Sequence, residues 1–270
     1  MAYKLVFSDI DGTLLNSNHK ISKGTMESVW KLKQKGIPFV LVSARMPSGI
    51  HRLQEELKIN DPIICFSGAI VFGAVQTDGT RQVLHNKSLD PSHVNEIYSL
   101  VSEQFPKVSF SSYNEANWYV SSITDEWVIQ EQAITGTPPQ VFNFVDDIHP
   151  LFNKIMCMGS PQEIDSLQEE LKKQHPEIMI YKSKPTYLEI MAQHVQKSSA
   201  INLLMQYYNA KKEEIIAVGD NYNDMDMLQF AGLGVAMGNS PDDVKAAADI
   251  ITLSNDQDGL KEVIEKYCLV

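Results

Sequence analysis

Two carboxylates two positions apart, Asp9 and Asp11, close the short apolar run Leu5-Val6-Phe7 and are followed by Gly12 and Thr13. The run is too short for a helix and rich enough in Val and Phe to predict a buried strand. Period-2 geometry sends Asp9 and Asp11 to one side while Ile10 points back into the core. Gly12 then permits a sharp turn. Alone, an Asp-x-Asp pair most often forms a turn or caps a helix. A calcium loop is excluded by spacing: counting from Asp9, Thr13 falls where a third acidic ligand belongs and Leu14 where the glycine belongs.

A second acidic cluster, Gly219-Asp220-Asn221-Tyr222-Asn223-Asp224, ends another apolar run at 214–218. If both runs are strands of one parallel sheet, Asp9, Asp220 and Asp224 share the edge at which such sheets bind ligands. Crowded carboxylates repel, and a hard cation with oxygen ligands relieves them. Mg²⁺ fits best, because it accepts a few carboxylates together with waters and a substrate phosphate. Asp226 reads instead as a first-turn residue favoured by the helix dipole. Lys197 opens a predicted helix, where the dipole disfavours a cation, so a nearby anion would give it a purpose. Ser43, followed by Ala44 and Arg45, is equally suited to capping the next helix and to binding phosphate. Gly232-x-Gly234-x-x-x-Gly238 is one residue too long for a dinucleotide fingerprint and ends a strand instead of following one.

The elements that must position these groups are legible as apolar runs at 37–42, 62–66, 214–218 and 234–237, each stopping at small polar residues. Near-continuous apolar character predicts parallel strands covered on both faces. Helices lie between them. One spans 22–36, with Met26, Val29, Trp30 and Lys33 on its stripe, and another carries Ile50, Leu53 and Leu57. A third follows Lys197 with Ile201, Leu204, Met205 and Tyr208. A fourth starts at Ser240-Pro241, and a last one holds Leu260, Val263, Ile264 and Tyr267. The alternation predicts an α/β fold, a Rossmann-like doubly wound parallel-sheet core.

Between 84 and 190 the texture changes. A helix begins near Asp90-Pro91 with Val94, Ile97, Tyr98 and Val101 on one face, and alternating segments follow at 108–112 and 118–121. A strand at 153–158 precedes the capping box Ser160-Pro161-Gln162-Glu163, whose helix turns Ile164, Leu167 and Leu171 inward; strands follow at 178–181 and 187–191. Helix-strand-strand thus occurs twice. This is an α+β domain inserted at 84–190 into a core formed by 1–83 and 191–270, with hinges expected near 82–86 and 190–195. Tyr113, Asn114, Trp118, Lys182, Lys184 and Glu189 are its candidate substrate contacts, although a surface or small-core role is the stronger reading for each. Trp30 and Trp127 read as core.

Bulk properties narrow the function. At 270 residues the chain can bury a full core. Its net charge of -11 argues against nucleic acid as a partner. The three cysteines, Cys65, Cys157 and Cys268, are far apart, which disfavours disulfides and zinc and suits a cytoplasmic protein. No apolar run approaches the ~20 residues that span a bilayer, so no membrane partner is expected. The expected assembly is a monomer or homodimer.

Asp9-Ile10-Asp11-Gly12-Thr13, Ser43, Lys197 and Gly219-Asp220-x-x-Asn223-Asp224 occur in the order of the four motifs of the haloacid dehalogenase-like (HAD) hydrolases. The place of the insertion resembles the Cof-like subfamily, whose large α/β cap is of type IIB. The resemblance covers essentially the whole chain. It implies a Mg²⁺-dependent phosphatase of small phosphorylated metabolites, acting through an aspartyl-phosphate, with the inserted cap selecting the substrate. It implies Asp9 as nucleophile, Asp11 as general acid/base, and Lys197 with Ser43 as phosphate ligands, joined in the substrate loops by Gly12, Ala44, Arg45 and Asn223. The metal would be held by Asp9, the backbone carbonyl of Asp11 and Asp220, with Asp224 supporting it. A phosphomutase and a non-catalytic phosphometabolite sensor are the alternatives. Four positions depart from the pattern: Ser43 and Ala44, since Ser43-Ala44-Arg45 replaces Thr-Gly-Arg; Ser67, which stands where asparagine is usual; and Ser198, which replaces the glycine after the lysine.

Overall fold

A computed structural model of the chain describes residues 3–147 and 150–269. The chain opens with β1 (Leu5–Ser8), α1 (Lys23–Gln34), β2 (Phe39–Val42), α2 (Pro47–Leu57), β3 (Ile63–Cys65), β4 (Ile70–Phe72) and β5 (Val83–Asn86). It continues with α3 (Pro91–Gln104), β6 (Ser109–Tyr113), β7 (Trp118–Val120), α4 (Glu126–Thr135), β8 (Gln140–Val141) and β9 (Lys154–Met158). After α5 (Pro161–Gln174), β10 (Met179–Lys184) and β11 (Tyr187–Met191) come α6 (Lys197–Tyr207) and β12 (Ile215–Gly219). The chain closes with α7 (Met225–Phe230), β13 (Leu233–Ala236), α8 (Asp242–Ala247), β14 (Ile250–Ile251) and α9 (Gly259–Tyr267).

The first sheet has the order β14-β13-β12-β1-β2-β3-β4-β5. Pairing is parallel from β14 to β3, and β4 adds antiparallel to β3. This is the doubly wound α/β core that the apolar runs predict. The chain leaves β1 to one side through β2 and β3 and later returns on its other side through β12, β13 and β14. The order therefore reverses between β1 and β12, where open sheets of this kind form their ligand crevice. Leu5 pairs with Ile215 and Ser8 with Val218, so the two strands end level. Both are wholly buried, which is why their sequences are continuous apolar runs without alternation.

The chain forms two compact units. The first comprises the chain up to Arg45, Ile50–His85 and the chain from Gln196 onward; the second comprises Met46–Gly49 and Asn86–Val195. The second unit holds the sheet β10-β11-β9-β6-β7-β8. One face, with Phe110, Ile155, Cys157, Leu188 and Ile190, shares a core with Val94 and Ile97 of α3 and Ile164 and Leu167 of α5. The alternating positions Tyr113, Trp118, Lys154 and Glu189 are also buried. There Lys154 Nζ lies 3.4 Å from Glu189 Oε2, and the Tyr113 and Trp118 rings stack at 5.8 Å. The capping box at Ser160 forms through both of its hydrogen bonds. Of the other candidate contacts, Asn114 Oδ1 accepts from the N–H of Asn117, Lys182 pairs with Asp165, and Lys184 Nζ stands 4.6 Å from the centre of the Tyr187 ring.

Some expectations are corrected. The buried stripe of α1 is Thr25, Ser28, Val29 and Leu32, not Met26, Val29, Trp30 and Lys33. Ser22 caps the helix through the N–H of Thr25, and the face turned inward is the one beneath α9, to which Ser28 Oγ donates at Glu265. At 100° per residue that leaves Trp30 outside, 52% exposed. Trp127 is half-buried on α4. The helix expected to start at Ser240-Pro241 is α8, with Pro241 at its N-cap position.

Candidate active site

All the residues singled out by the sequence motifs lie in the first unit. Asp9 follows β1, and its backbone N–H donates to Val218 O at 2.9 Å, extending the pairing with β12 by one residue. Asp220 follows β12, so the level ends of the two strands bring the carboxylates together. Oxygens of Asp9, Asp220 and Asp224 lie within 4.8 Å of one another.

Lys197, the first residue of α6, is 1% exposed. Its Nζ donates to Asp9 Oδ1 at 2.6 Å and to Asp224 Oδ1 at 2.5 Å. Burial alone would lower its pKa, but Asp224 and Asp9 outweigh burial and hold it up, so the ammonium stays charged. The other oxygen of Asp224 accepts the backbone N–H groups of Asp220 and Asn221, both at 2.9 Å. With both oxygens engaged, Asp224 is an orienting group more than an open ligand.

One cation does not neutralise three carboxylates. Burial, then the neighbouring Asp224, pushes Asp9 well above the usual carboxylate range despite Lys197. The same causes push Asp220 up to about 7. A site of oxygen donors with excess negative charge fits a hard divalent cation, and Asp9 and Asp220 are the groups to hold one. Thr13 fixes Asp220, its Oγ1 donating to Asp220 Oδ1 at 2.9 Å. Gly12, at φ +85°, makes this approach possible: a Cβ there would lie 2.3 Å from Asp220 Oδ2.

Asp11 points elsewhere. Its side chain is 52% exposed and is gripped at two points by Arg45, with Nε to Oδ2 at 2.8 Å and Nη2 to Oδ1 at 2.6 Å. Ser43 does not cap α2, which starts at Pro47; its Oγ accepts the N–H of Arg45 at 3.2 Å. Its backbone bonds to Ile64 O and Ser67 N–H tie this loop to the turn after β3. In that turn Phe66 and Ser67 adopt φ of +47° and +53°, and Gly68 follows at +109°. A Cβ on Gly68 would lie 2.5 Å from Gln196 O, so the turn packs directly against the residue before Lys197. Ala44 and Asn223 lie half-buried in their loops.

Three supporting residues are not marked as site residues by the sequence. Thr13 stands within the first motif, where its hydroxyl is the available signal. Asn239, just beyond β13, donates through Nδ2 to Gly12 O at 2.9 Å. It shares the pattern of a small polar residue at a strand end. Asp226 lies in the first turn of α7 as the dipole argument expects, and also accepts the N–H of Ser198 at 2.7 Å. That bond holds α6, and Lys197 with it, against α7.

The family model for haloacid dehalogenase-like hydrolases matches residues 6–264. The chain belongs to this family. It is 36% identical over 98% of its length to a protein of Haemophilus influenzae named a putative phosphatase, 98% of which is covered. The crystal structure of a HAD-like hydrolase from Bacteroides thetaiotaomicron superposes with a TM-score of 0.88 at 32% identity, covering 98% of this chain and 99% of that one. A HAD subclass IIB sugar phosphatase superposes with a TM-score of 0.84 at 25% identity, covering 98% of each chain. The protein is thus a HAD-like phosphatase of the Cof-like branch, and HAD hydrolases generally use Mg²⁺. Among the described residues no helix is long and apolar enough to cross a membrane.

Proposed function

We propose that the protein is a Mg²⁺-dependent phosphatase of small phosphorylated metabolites, with sugar phosphates the first class to test. The observation that carries this reading is the pairing of buried Asp9 and Asp224 with Lys197, half-buried Asp220 beside them, with Asp11 two residues from Asp9 and its side chain 52% exposed. The likeness to a subclass IIB sugar phosphatase supports the choice of substrate class.

Asp9 is the nucleophile. Its carboxylate oxygen attacks phosphorus as the bond to the ester oxygen breaks, leaving an aspartyl-phosphate. Asp11 gives a proton to the departing oxygen, so an alcohol leaves. It then takes a proton from the water that attacks the aspartyl-phosphate, releasing inorganic phosphate and restoring Asp9. Arg45 holds Asp11 until substrate arrives, and the two-point pair must open for Asp11 to reach the leaving group. Lys197 offsets the repulsion between Asp9 and the dianionic ester, and the Ser43 hydroxyl serves as a hydrogen-bond donor to the same phosphate. When bound to Asp9, Asp220 and the backbone carbonyl of Asp11, Mg²⁺ supplies further charge neutralisation at phosphorus. Gly12, Ala44 and Asn223 complete the phosphate loops. The inserted segment 84–190 serves as the specificity cap.

The test is phosphate release from an aryl phosphate and a panel of sugar and cofactor phosphates, with Mg²⁺ and with EDTA. Metal-dependent release that disappears in both Asp9→Asn and Asp11→Asn is expected. Isomer interconversion outrunning phosphate release would replace hydrolysis with mutase chemistry. Binding without turnover would leave a sensor.

A further inference from the structure

Far from these residues in sequence, the second unit gathers two imidazoles and two carboxylates. His93 lies in the first turn of α3 and Glu96 three residues on; His175 is the C-cap residue of α5, and Glu177 follows in the turn to β10. His93 Nε2 is 3.0 Å from Glu177 Oε1. His175 Nδ1 is 3.8 Å from Glu177 Oε1 and 3.8 Å from Glu96 Oε2. The two rings meet edge to face, with centroids 5.4 Å apart.

His175 is the informative member. It is 6% exposed, and its Nε2 is buried with no hydrogen-bond partner among the described residues. Its Nδ1 faces two carboxylates at distances beyond hydrogen-bond reach. With its Nδ1 turned toward two carboxylate oxygens across a gap too long for a shared proton, this buried imidazole is arranged as it would be around an ion. A tetrahedral ion with bonds of about 2.0–2.1 Å needs its ligand atoms about 3.3 Å apart. The His93–Glu177 and His175–Glu177 separations of 3.0 and 3.8 Å lie on either side of that spacing, and all three donors lie within 4.8 Å of one another, so side-chain rotation brings them to it.

We propose that His93, His175 and Glu177, whose donor atoms lie within 4.8 Å of one another, form a site for a divalent transition-metal ion, with Zn²⁺ the best match and the exposed Glu96 beside His175 placed to swing in as a fourth ligand. Two imidazoles with carboxylate oxygen suit borderline ions of this kind, whereas Mg²⁺ and Ca²⁺ prefer oxygen alone. The site is chemically distinct from the all-carboxylate array of the first unit. A bound ion joins the start of α3 to the end of α5, the two helices that share a core with the same sheet. Its effect is to stabilise the second unit.

The experiment uses the whole protein in excess Mg²⁺, which occupies the carboxylate array, and titrates Zn²⁺ by calorimetry. Co²⁺ serves as a spectroscopic stand-in. His93→Ala and Glu177→Gln are the variants, since both side chains are partly exposed and their loss leaves the core intact. One Zn²⁺ per chain, visible bands of tetrahedral Co²⁺, and at least about tenfold weaker binding in each variant are expected. Mg²⁺-supported phosphatase activity should be unchanged in both. The proposal is overturned if Zn²⁺ does not bind in excess Mg²⁺. It is equally overturned if both variants bind as the parent does, or if Asp220→Asn abolishes the binding instead. In each case the cluster is only a set of His–Glu ion pairs.

Discussion

Lys197→Met keeps most of the aliphatic stem of a side chain that is 1% exposed but deletes the cation between Asp9 and Asp224. Two charge-assisted hydrogen bonds, of 2.6 and 2.5 Å, are lost. At about 1.5–3 kcal/mol each they sum to about 3–6 kcal/mol. Breaking a buried ion pair by removing one partner independently costs about 3–5 kcal/mol, because the other charge is left uncompensated. The two routes agree on a loss of about 4 kcal/mol. The sign with pH follows. Without the ammonium, the already raised carboxyl of Asp9 moves higher still, so a proton can take the place of the lost cation at low pH. The deficit should therefore be largest near about pH 8 in EDTA and shrink toward about pH 5.5. Urea denaturation of parent and variant at both pH values, followed by a probe in the first unit, measures it. A deficit below about 1 kcal/mol at the higher pH, or one independent of pH, would refute the reasoning that Lys197 is held in place by charge compensation.

Gly12→Ala should lose about 2 kcal/mol or more and most of its turnover, because a residue at φ +85° is forced toward Asp220 Oδ2 at 2.3 Å; thermal melts and phosphate release check both. Ser67→Asn places a residue better suited to the left-handed region at φ +53° and should gain about 0.5–1 kcal/mol in denaturant titration. Burial and Asp224 raise the Asp220 carboxyl from 3.8 to about 7, so its protonated form favours the metal-free fold. That contribution, on the order of 4 kcal/mol, is complete below about pH 4 and lost as pH rises through about 7. Melting in EDTA should fall over this window. Mg²⁺ affinity should rise over the same window, with protons released on binding that calorimetry in two buffers detects.

The sheet is legible in the sequence because β1, β2, β3, β12 and β13 are buried on both faces and end in small polar residues, a pattern local to each run. The acidic residues and Lys197 are legible for the same reason: each sits at the end of its own element. What the sequence does not show depends on long-range neighbours. The grip of Arg45 on Asp11 joins residues 34 apart, and nothing near either marks it. The inner face of α1 is chosen by α9, more than 200 residues away in sequence. Helix α4 is hidden because Trp127, Val128, Ile129 and Ile134 spread around its circumference, and only Val128 and Glu131 are buried. Strand β5 is exposed or half-buried along its length and so carries no apolar run, and both it and β4 are set by pairing at the sheet edge.

The central claim is that Asp9 carries the phosphoryl group. The most direct measurement is acid quench of the enzyme during turnover of its best panel substrate, followed by mass spectrometry of the peptide containing Asp9. The account predicts one added phosphoryl group on Asp9, formed and consumed at the rate of turnover. A steady-state phosphoenzyme on another residue, or full turnover by Asp9→Asn, would contradict it.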